Sequence, residues 1–377
     1  MVFDMIRTSK AGLSDIVNGA YGKIKEIWVP YDRRKKYEKR AEKILSYHPE
    51  WAGLTEKEKK LAIYKEDYSQ LIAFKNSWGR GKVLEKGFIT DTAYQNILLP
   101  KLLHRMNYIY SRMENNNIYH DKNYFEILMP QLNFPEAVLR NVEGEFLTRD
   151  YKLCGNPLEI LNQYDRLVFK GSIFSGSGRD IRLVEKKDYT NMLKKYGKDY
   201  IVQKPLKQSD FFSKWNASSV NIVRITTLLW KGELYNLGGI MKVGAPGGFC
   251  DQTSSKDGLH ARFVGINEDG SLMDRAYDHD TISPCSDIWG NKVCGRIEEY
   301  KEMERIALRE QERFPHHKIL GWDFTVDSEG RIICIEFNAR IPGMNLVQYA
   351  LGPVLGRKTK RGKTLLEEML HEAGRRK

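Results

Sequence analysis

Two carboxylates and a carboxamide, at Asp323, Glu336 and Asn338, are the residues of this chain whose types and spacing point most directly to chemistry. They sit between Gly321 and Arg340, in a stretch that reads as a β-hairpin turning at Ser328-Glu329-Gly330-Arg331. Apolar Trp322, Phe324 and Val326 alternate on one arm, and Ile333, Ile335 and Phe337 on the other. The alternation sends Asp323, Glu336 and Asn338 to the opposite face, with Asp323 directly across from Glu336. Like charges in a cross-strand pair, with Cβ atoms roughly 5 Å apart, destabilise a hairpin unless something cationic lies between them, so removing one charge should relieve the pair. Two carboxylates and an amide oxygen suit a hard divalent cation such as Mg²⁺, which keeps several waters and shares its remaining positions with phosphate oxygens. The alternative is a solvated hairpin face with unrelated acids.

Phosphate-binding chemistry is legible upstream. Leu167-Val168-Phe169-Lys170 reads as a strand ending in a lysine and runs into Gly171-Ser172-Ile173-Phe174-Ser175-Gly176-Ser177-Gly178. Lysine supplies a point positive charge, and a Gly/Ser loop lets backbone N–H groups approach phosphate oxygens without Cβ interference. The loop is not a Walker A motif, because its lysine precedes the glycines. By itself it fits a flexible turn equally well. Further along the chain comes Tyr200-Ile201-Val202-Gln203-Lys204-Pro205-Leu206, an apolar strand ending in a polar linker where backbone can pair with an adenine edge. Arg224, near the start of the strand Asn221-Ile222-Val223-Arg224-Ile225-Thr226, can clamp a phosphoryl group or a carboxylate in bidentate fashion.

These residues need elements to hold them. Up to about residue 115 the chain reads as mostly helical: an amphipathic stripe from Leu13 to Trp28, a Lys/Glu-rich region over 31–78 with a capped start at Thr55-Glu56-Lys57-Glu58, and a helical pattern over 92–113. Beyond Asn115-Asn116-Asn117, short β-branched runs predict strands over 165–170, 180–184, 200–203, 221–230 and 234–243, with helices over 122–132, 156–163, 186–196 and 296–313. The fold class is α+β.

The order Lys122, Lys170 with its glycine loop, Gln203-Lys204-Pro205-Leu206, Arg224, Asp323, Glu336-x-Asn338 resembles the ATP-grasp superfamily over about residues 119–350. More narrowly it is similar to the sugar-transfer-associated ATP-grasp family. The resemblance implies two α+β subdomains clasping ATP, the small one over 119–207 and the large one with the metal site over 208–356. A helical region over 1–118 would precede them and a basic tail over 357–377 would come last. It implies that Lys122 and Lys170 contact ATP phosphates and that Ser175, Gly176, Ser177 and Gly178 close over the β- and γ-phosphates. The Gln203 carbonyl, Lys204 and the Leu206 N–H would line the adenine, while Asp323, Glu336 and Asn338 hold two Mg²⁺ ions. Arg224, Lys242 and Arg340 become the catalytic cations. Gln203 stands where the superfamily usually has Glu, Lys242 where Arg is common, and Gln252 where the family's glycine loop has Asn.

The implied function is an ATP-dependent carboxylate–amine ligase working through an acyl phosphate in cell-surface polysaccharide or sugar-conjugate biosynthesis. Its partners would be a small-molecule carboxylate and an amine, one of them a sugar or an amino acid. The alternatives are a kinase acting on a sugar hydroxyl and a nucleotide-binding scaffold. Five scattered cysteines, none in a C-x-x-C pair, speak against a disulfide framework or zinc site. With no secretory leader pattern and no long apolar run, the cytoplasm is the expected compartment. Of the net +12, residues 1–43 (11 Lys/Arg against 6 Asp/Glu) and 357–377 (8 against 3) supply +5 each. Such termini can meet anionic lipid at the inner membrane face or simply be solvated. A nucleic-acid partner is not expected, because no interleaved aromatic and basic stripe is present. His316 and His317 read as surface residues, and Cys250 lacks a local base to make it a nucleophile.

Overall fold

A computed structural model of the chain describes residues 70, 71, 74, 78, 87–94, 116–173, 175, 180–251, 258–315, 317–339 and 342–375. The stripe from Leu13 to Trp28, the cap at Thr55, and most of the 31–78 and 92–113 patterns fall outside the described residues. So do Gly176, Ser177, Gly178, Gln252 and Arg340. Gln70, Leu71, Phe74 and Trp78 are helical.

Two antiparallel sheets form the frame. The smaller is built from β1 (Ala137–Val142), β2 (Glu145–Thr148), β3 (Arg166–Gly171), β4 (Ile181–Glu185) and β5 (Tyr200–Gln203), in the order β2-β1-β5-β3-β4. Leu139, Leu167, Phe169, Tyr200 and Val202 pack on one face beneath the helices Pro157–Leu161 and Tyr189–Tyr196. The larger is built from β6 (Ile222–Trp230), β7 (Glu233–Val243), β8 (Arg262–Ile266), β9 (Leu272–Asp278), β10 (Pro284–Cys285), β13 (Ile319–Val326) and β14 (Ile332–Asn338). Its order is β10-β9-β8-β7-β6-β13-β14, and β11 (Asp287–Ile288) and β12 (Asn291–Lys292) form a separate ribbon.

The large sheet is buried on both faces, as the near-continuous apolar run of β6 requires. On one side the helix Tyr300–Arg313 lays down Tyr300, Met303 and Ala307, spaced three and four apart, against Val223, Met241 and Trp322. On the other, Leu71, Phe74 and Phe88 share a core with Trp230, Ile240, Phe263 and the helices Asn345–Leu351 and Leu365–Arg375. Gly238 and Gly239 let both layers close. A Cβ on Gly238, at φ +124°, would collide with Leu351, and one on Gly239 would come within 2.5 Å of Tyr300 Oη.

Several sequence expectations change. The expected helix over 122–132 is a 3₁₀ turn, Lys122–Tyr124, and then a single turn at Phe125–Leu128. Strands β1, β2, β8 and β9 carry polar residues such as Arg140-Asn141 and Asp274-Arg275 inside them, which hides their periodicity. Over 357–375 the basic tail is part of the fold: Lys358 pairs with Thr364, and the last helix buries Leu365, Leu366 and Met369. His317 is buried, its ring centroid 5.4 Å from that of Tyr119. Among the described residues, no helix is long and apolar enough to cross a membrane.

Candidate active site

The acidic hairpin forms where the pattern predicts it, with one irregularity that decides its chemistry. Near the turn, Val326 pairs with Ile332, Thr325 with Ile333 and Phe324 with Cys334; a bulge then intervenes, so that Asp323 pairs with Glu336. Strict alternation would put Ile333 and Ile335 on the core face. Instead Cys334 takes the core position beside Phe324, and Ile335 and Glu336 both line the cleft between the sheets. A β-bulge seats two residues opposite one and re-aims the side chains beyond it, which is how Glu336 comes to the acidic face.

The cations that such a pairing demands are present. On its other side Asp323 pairs with Arg224 of β6, whose Nε and Nη2 grip the carboxylate in bidentate fashion, Nη2 to Oδ2 at 2.6 Å. Asn338 Nδ2 donates to the same Oδ2 at 3.3 Å. Lys170 Nζ, from β3 of the small sheet, lies 3.8 Å from Glu336 Oε2, and Lys122 Nζ, from the 3₁₀ turn that precedes β1, lies 3.5 Å from it. Lys170 also donates to the Ile335 carbonyl at 3.5 Å. Lys122 donates to Ser175 Oγ at 2.9 Å, and that hydroxyl donates to Gly171 O at 2.7 Å, fixing the start of the glycine loop over the cleft. Lys242, on β7, pairs with Asp251.

The electrostatics arise from this crowding. Burial pushes the Glu336 carboxyl up, but Lys122, Lys170, Arg224 and Lys242 outweigh it and hold its pKa at about 2. Burial also pushes the Asp323 carboxyl up, with Arg224 pulling against it. The Arg224 cation loses hydration in the interior, yet Asp323 raises its pKa above the ordinary arginine value. Burial lowers the Lys170 pKa, and Glu336 works in the other direction.

The cleft encloses about 890 Å³, its open mouth included. Val168, Ile181, Leu206, Ile222 and Ile335 give it apolar walls, while Gln203 and Lys204 stand at its edge. Gln203 Nε2 donates to Pro135 O at 3.1 Å, and Lys204 is held by Glu136 through its backbone N–H (2.9 Å to the carbonyl) and its ammonium (2.8 Å to Oε1). The Lys204 side chain therefore serves the linker's position, leaving Lys122 and Lys170 as the lysines facing the acids. Sequence reasoning did not single out Val168, Ile181 or Phe249 as cleft residues; as lone apolar residues in strands and loops they carry no signal distinguishing a cleft wall from a core.

The donor set fits a hard cation. Asp323, Glu336 and Asn338 offer oxygens on one face, and the arrangement neutralises each carboxylate with a protein cation that an anionic ligand can draw away. Among the described residues, no group of three or more His, Cys, Asp or Glu is placed to hold a metal ion, so a cation at this face would take two carboxylates and the Asn338 oxygen and complete its shell from water or phosphate.

Comparison with known proteins gives this geometry a context. No curated protein matches the chain in sequence. Among solved structures, D-alanyl-alanine synthetase A from Vibrio cholerae aligns at 15% identity and a TM-score of 0.41, covering 69% of this chain and 65% of its own. Biotin carboxylase from Campylobacter jejuni aligns at 13% and 0.40, covering 72% and 52%. The ATP-grasp ligase PsnB, solved with a minimal precursor, Mg and ADP, aligns at 12% and 0.34, covering 68% and 59%. The chain thus spans between half and two-thirds of the length of these proteins. A family described as sugar-transfer associated ATP-grasp matches residues 184–363. That stretch carries Arg224, Lys242 and the whole β13–β14 hairpin, and over it the chain resembles the sugar-transfer-associated ATP-grasp family.

Proposed function

We propose that this protein is an ATP-grasp enzyme, an ADP-forming carboxylate–amine ligase whose acid or amine belongs to a cell-surface sugar or its precursor. The observation that carries the reading is the convergence of Lys170 from the small sheet and Lys122 from the 3₁₀ turn before it on Glu336 of the large sheet, directly beside the Arg224–Asp323 pair. Lys242 and Asp251 add a further ion pair to this cleft, so that Asp323, Glu336 and Asp251 each have a cationic neighbour. A triphosphate entering along the apolar slot offers Lys122 and Lys170 a stronger anion than Glu336. Release of Glu336, and of one Asp323 oxygen by Arg224, then opens the acidic face, where Asp323, Glu336 and Asn338 would hold Mg²⁺. When bound, Mg²⁺ supplies charge neutralisation at the β- and γ-phosphates.

In the reaction, an acceptor carboxylate oxygen forms a bond to the γ-phosphorus as the bond to the ADP oxygen breaks. The amine then attacks the acyl carbon, phosphate leaves with the electron pair of the C–O bond, and the amine gives up a proton. Lys122 and Lys170 orient the phosphates, Arg224 stands beside the transferring group, and the Gln203–Leu206 backbone faces adenine. Catalysis here rests on positioning and charge compensation. The test is incubation of the protein with Mg²⁺-ATP and pools of sugar acids and amino acids, with products identified by mass. An amide with ADP and phosphate supports the proposal. A phosphosugar identifies a kinase instead, and no ATP turnover with any pool, together with no ATP binding, overturns the enzyme reading.

A further inference from the structure

Lys170 and the acids sit on strands, whereas Lys122 sits on a 3₁₀ turn of three residues, so something must hold that turn still. Its cap, Asp121, accepts the Asn123 N–H at 2.9 Å, and the Lys122 N–H donates to Ser172 O at 3.1 Å. The strongest grip is on Asn123, which is fully buried. Its Nδ2 donates to Asn141 O at 3.0 Å, and its carbonyl accepts two hydrogen bonds, from Arg140 Nη1 and from Tyr151 Oη, each at 2.8 Å. Arg140 is 0% exposed, its Nη2 pairs with Glu126 Oε2 at 2.5 Å, and its guanidinium lies 4.3 Å from the centroid of the Tyr151 ring.

Burying an arginine costs several kcal/mol before its partners offset it, and an apolar side chain on β1 would pack at far lower cost. The guanidinium instead spends a donor on the carbonyl of the residue directly after Lys122. Arg140 is not a wall of the cleft, and Glu126 balances its charge locally, so it acts on the site only through the backbone it holds. We propose that Arg140, assisted by Tyr151, is a positioning residue for Lys122, locking the turn so that the ammonium stays over the outer phosphates of the nucleotide. The inference rests on the proposed nucleotide-binding role of the cleft.

The experiment measures dissociation constants for ATP, ADP and AMP by calorimetry in wild type, Lys122→Met, Arg140→Met, Arg140→Lys and Tyr151→Phe. AMP lacks the outer phosphates, so a positioning defect weakens ATP and ADP but spares AMP, whereas general loosening of the fold weakens all three alike. Expected are a roughly tenfold loss of ATP-over-AMP preference in Arg140→Met, partial recovery in Arg140→Lys, and about threefold loss in Tyr151→Phe, which keeps one donor to the same carbonyl. Should Arg140→Met fail to fold, Tyr151→Phe carries the test. If Lys122→Met loses the preference while Arg140→Met and Tyr151→Phe keep it, the positioning role is wrong and the role of Lys122 stands. If Lys122→Met itself keeps the preference, the phosphate role of Lys122 falls and this inference with it.

Discussion

Replacing Glu336 by Gln tests whether the cleft is held together by its charges or strained by them. From the hairpin pattern alone, the substitution relieves repulsion with Asp323. The structure reverses the sign, because Lys122 and Lys170 lie within 4 Å of the Glu336 carboxylate, and Arg224 already compensates Asp323. The carboxyl falls from its ordinary 4.5 to about 2. At about 1.4 kcal/mol per unit, that depression makes the ionised form worth on the order of 3 kcal/mol to the nucleotide-free fold. The side chain is 25% exposed and the lysines can relax toward water, which reduces the expected effect to roughly 1–2 kcal/mol. Since the folded pKa is depressed, the contribution is complete above about 4.5 and is lost as pH falls toward 2. Urea denaturation of wild type and Glu336→Gln across pH 3–7, without nucleotide, should show the variant less stable at pH 7 and the gap narrowing with acid. Adding Lys170→Met should recover part of the loss, because it removes the cation left without its counterion. A variant as stable as wild type at pH 7, or more so, would refute the reasoning and return the pair to simple like-charge strain.

Three other contacts make predictions of their own. Arg224→Met frees both Asp323 oxygens and should bind Mn²⁺ without nucleotide at least tenfold more tightly than wild type, measured by the paramagnetic resonance of free Mn²⁺; equal affinities would show that Arg224 does not guard the acid. Lys170→Ala should weaken ATP binding tenfold or more, cutting nucleotide-linked stabilisation by about 1.4 kcal/mol in melting experiments, and an unchanged ligand-induced shift would contradict its role. Glu368 is buried and accepts from Arg361, from Thr359 Oγ1 at 2.5 Å and from Trp230 Nε1 at 3.0 Å, and its pKa is drawn down to about 2, chiefly by Arg361. Glu368→Gln should therefore cost about 2 kcal/mol at pH 7, with the difference fading as pH falls from about 4.5 toward 2, read from thermal melts.

The site was legible in sequence to the extent that its residues declare themselves by charge. Asp323, Glu336 and Asn338 share a face, Lys122 and Lys170 reach them, and strand β5 has the bounds its apolar run predicted. Pairing at a distance stayed hidden. Arg224 read as a free clamp because nothing local reveals that its strand lies against β13 and that Asp323 takes its guanidinium. The bulge at Ile335 escaped because an extra residue in one strand leaves no mark in composition. Arg140 and Asn141 concealed β1, since a fully buried arginine contradicts the pattern that identifies strands, and only the tertiary contacts of Asn123 and Tyr151 explain it. The C-terminal charges suggested solvent, while Leu365, Leu366 and Met369 among them fill a core.

That last core also imposes a schedule on synthesis. Leu71, Phe74, Phe88 and Ile89 pack with Tyr349, Leu365 and Met369, and Ile89 exchanges two hydrogen bonds with Gln348, 259 residues later. At about 5–20 residues per second on the ribosome, the early apolar residues wait roughly 10–50 s for their partners to be made. The small sheet, with strands over 137–203, has its partners close in sequence and can form during that interval, whereas the layer over β6 and β7 cannot be sealed until the helix Leu365–Arg375 emerges. A stop codon before Leu365 would therefore leave a nascent chain with its strands translated and the apolar residues Leu71, Phe74 and Phe88 still uncovered, a substrate for chaperones and not a slightly shortened form of the same fold.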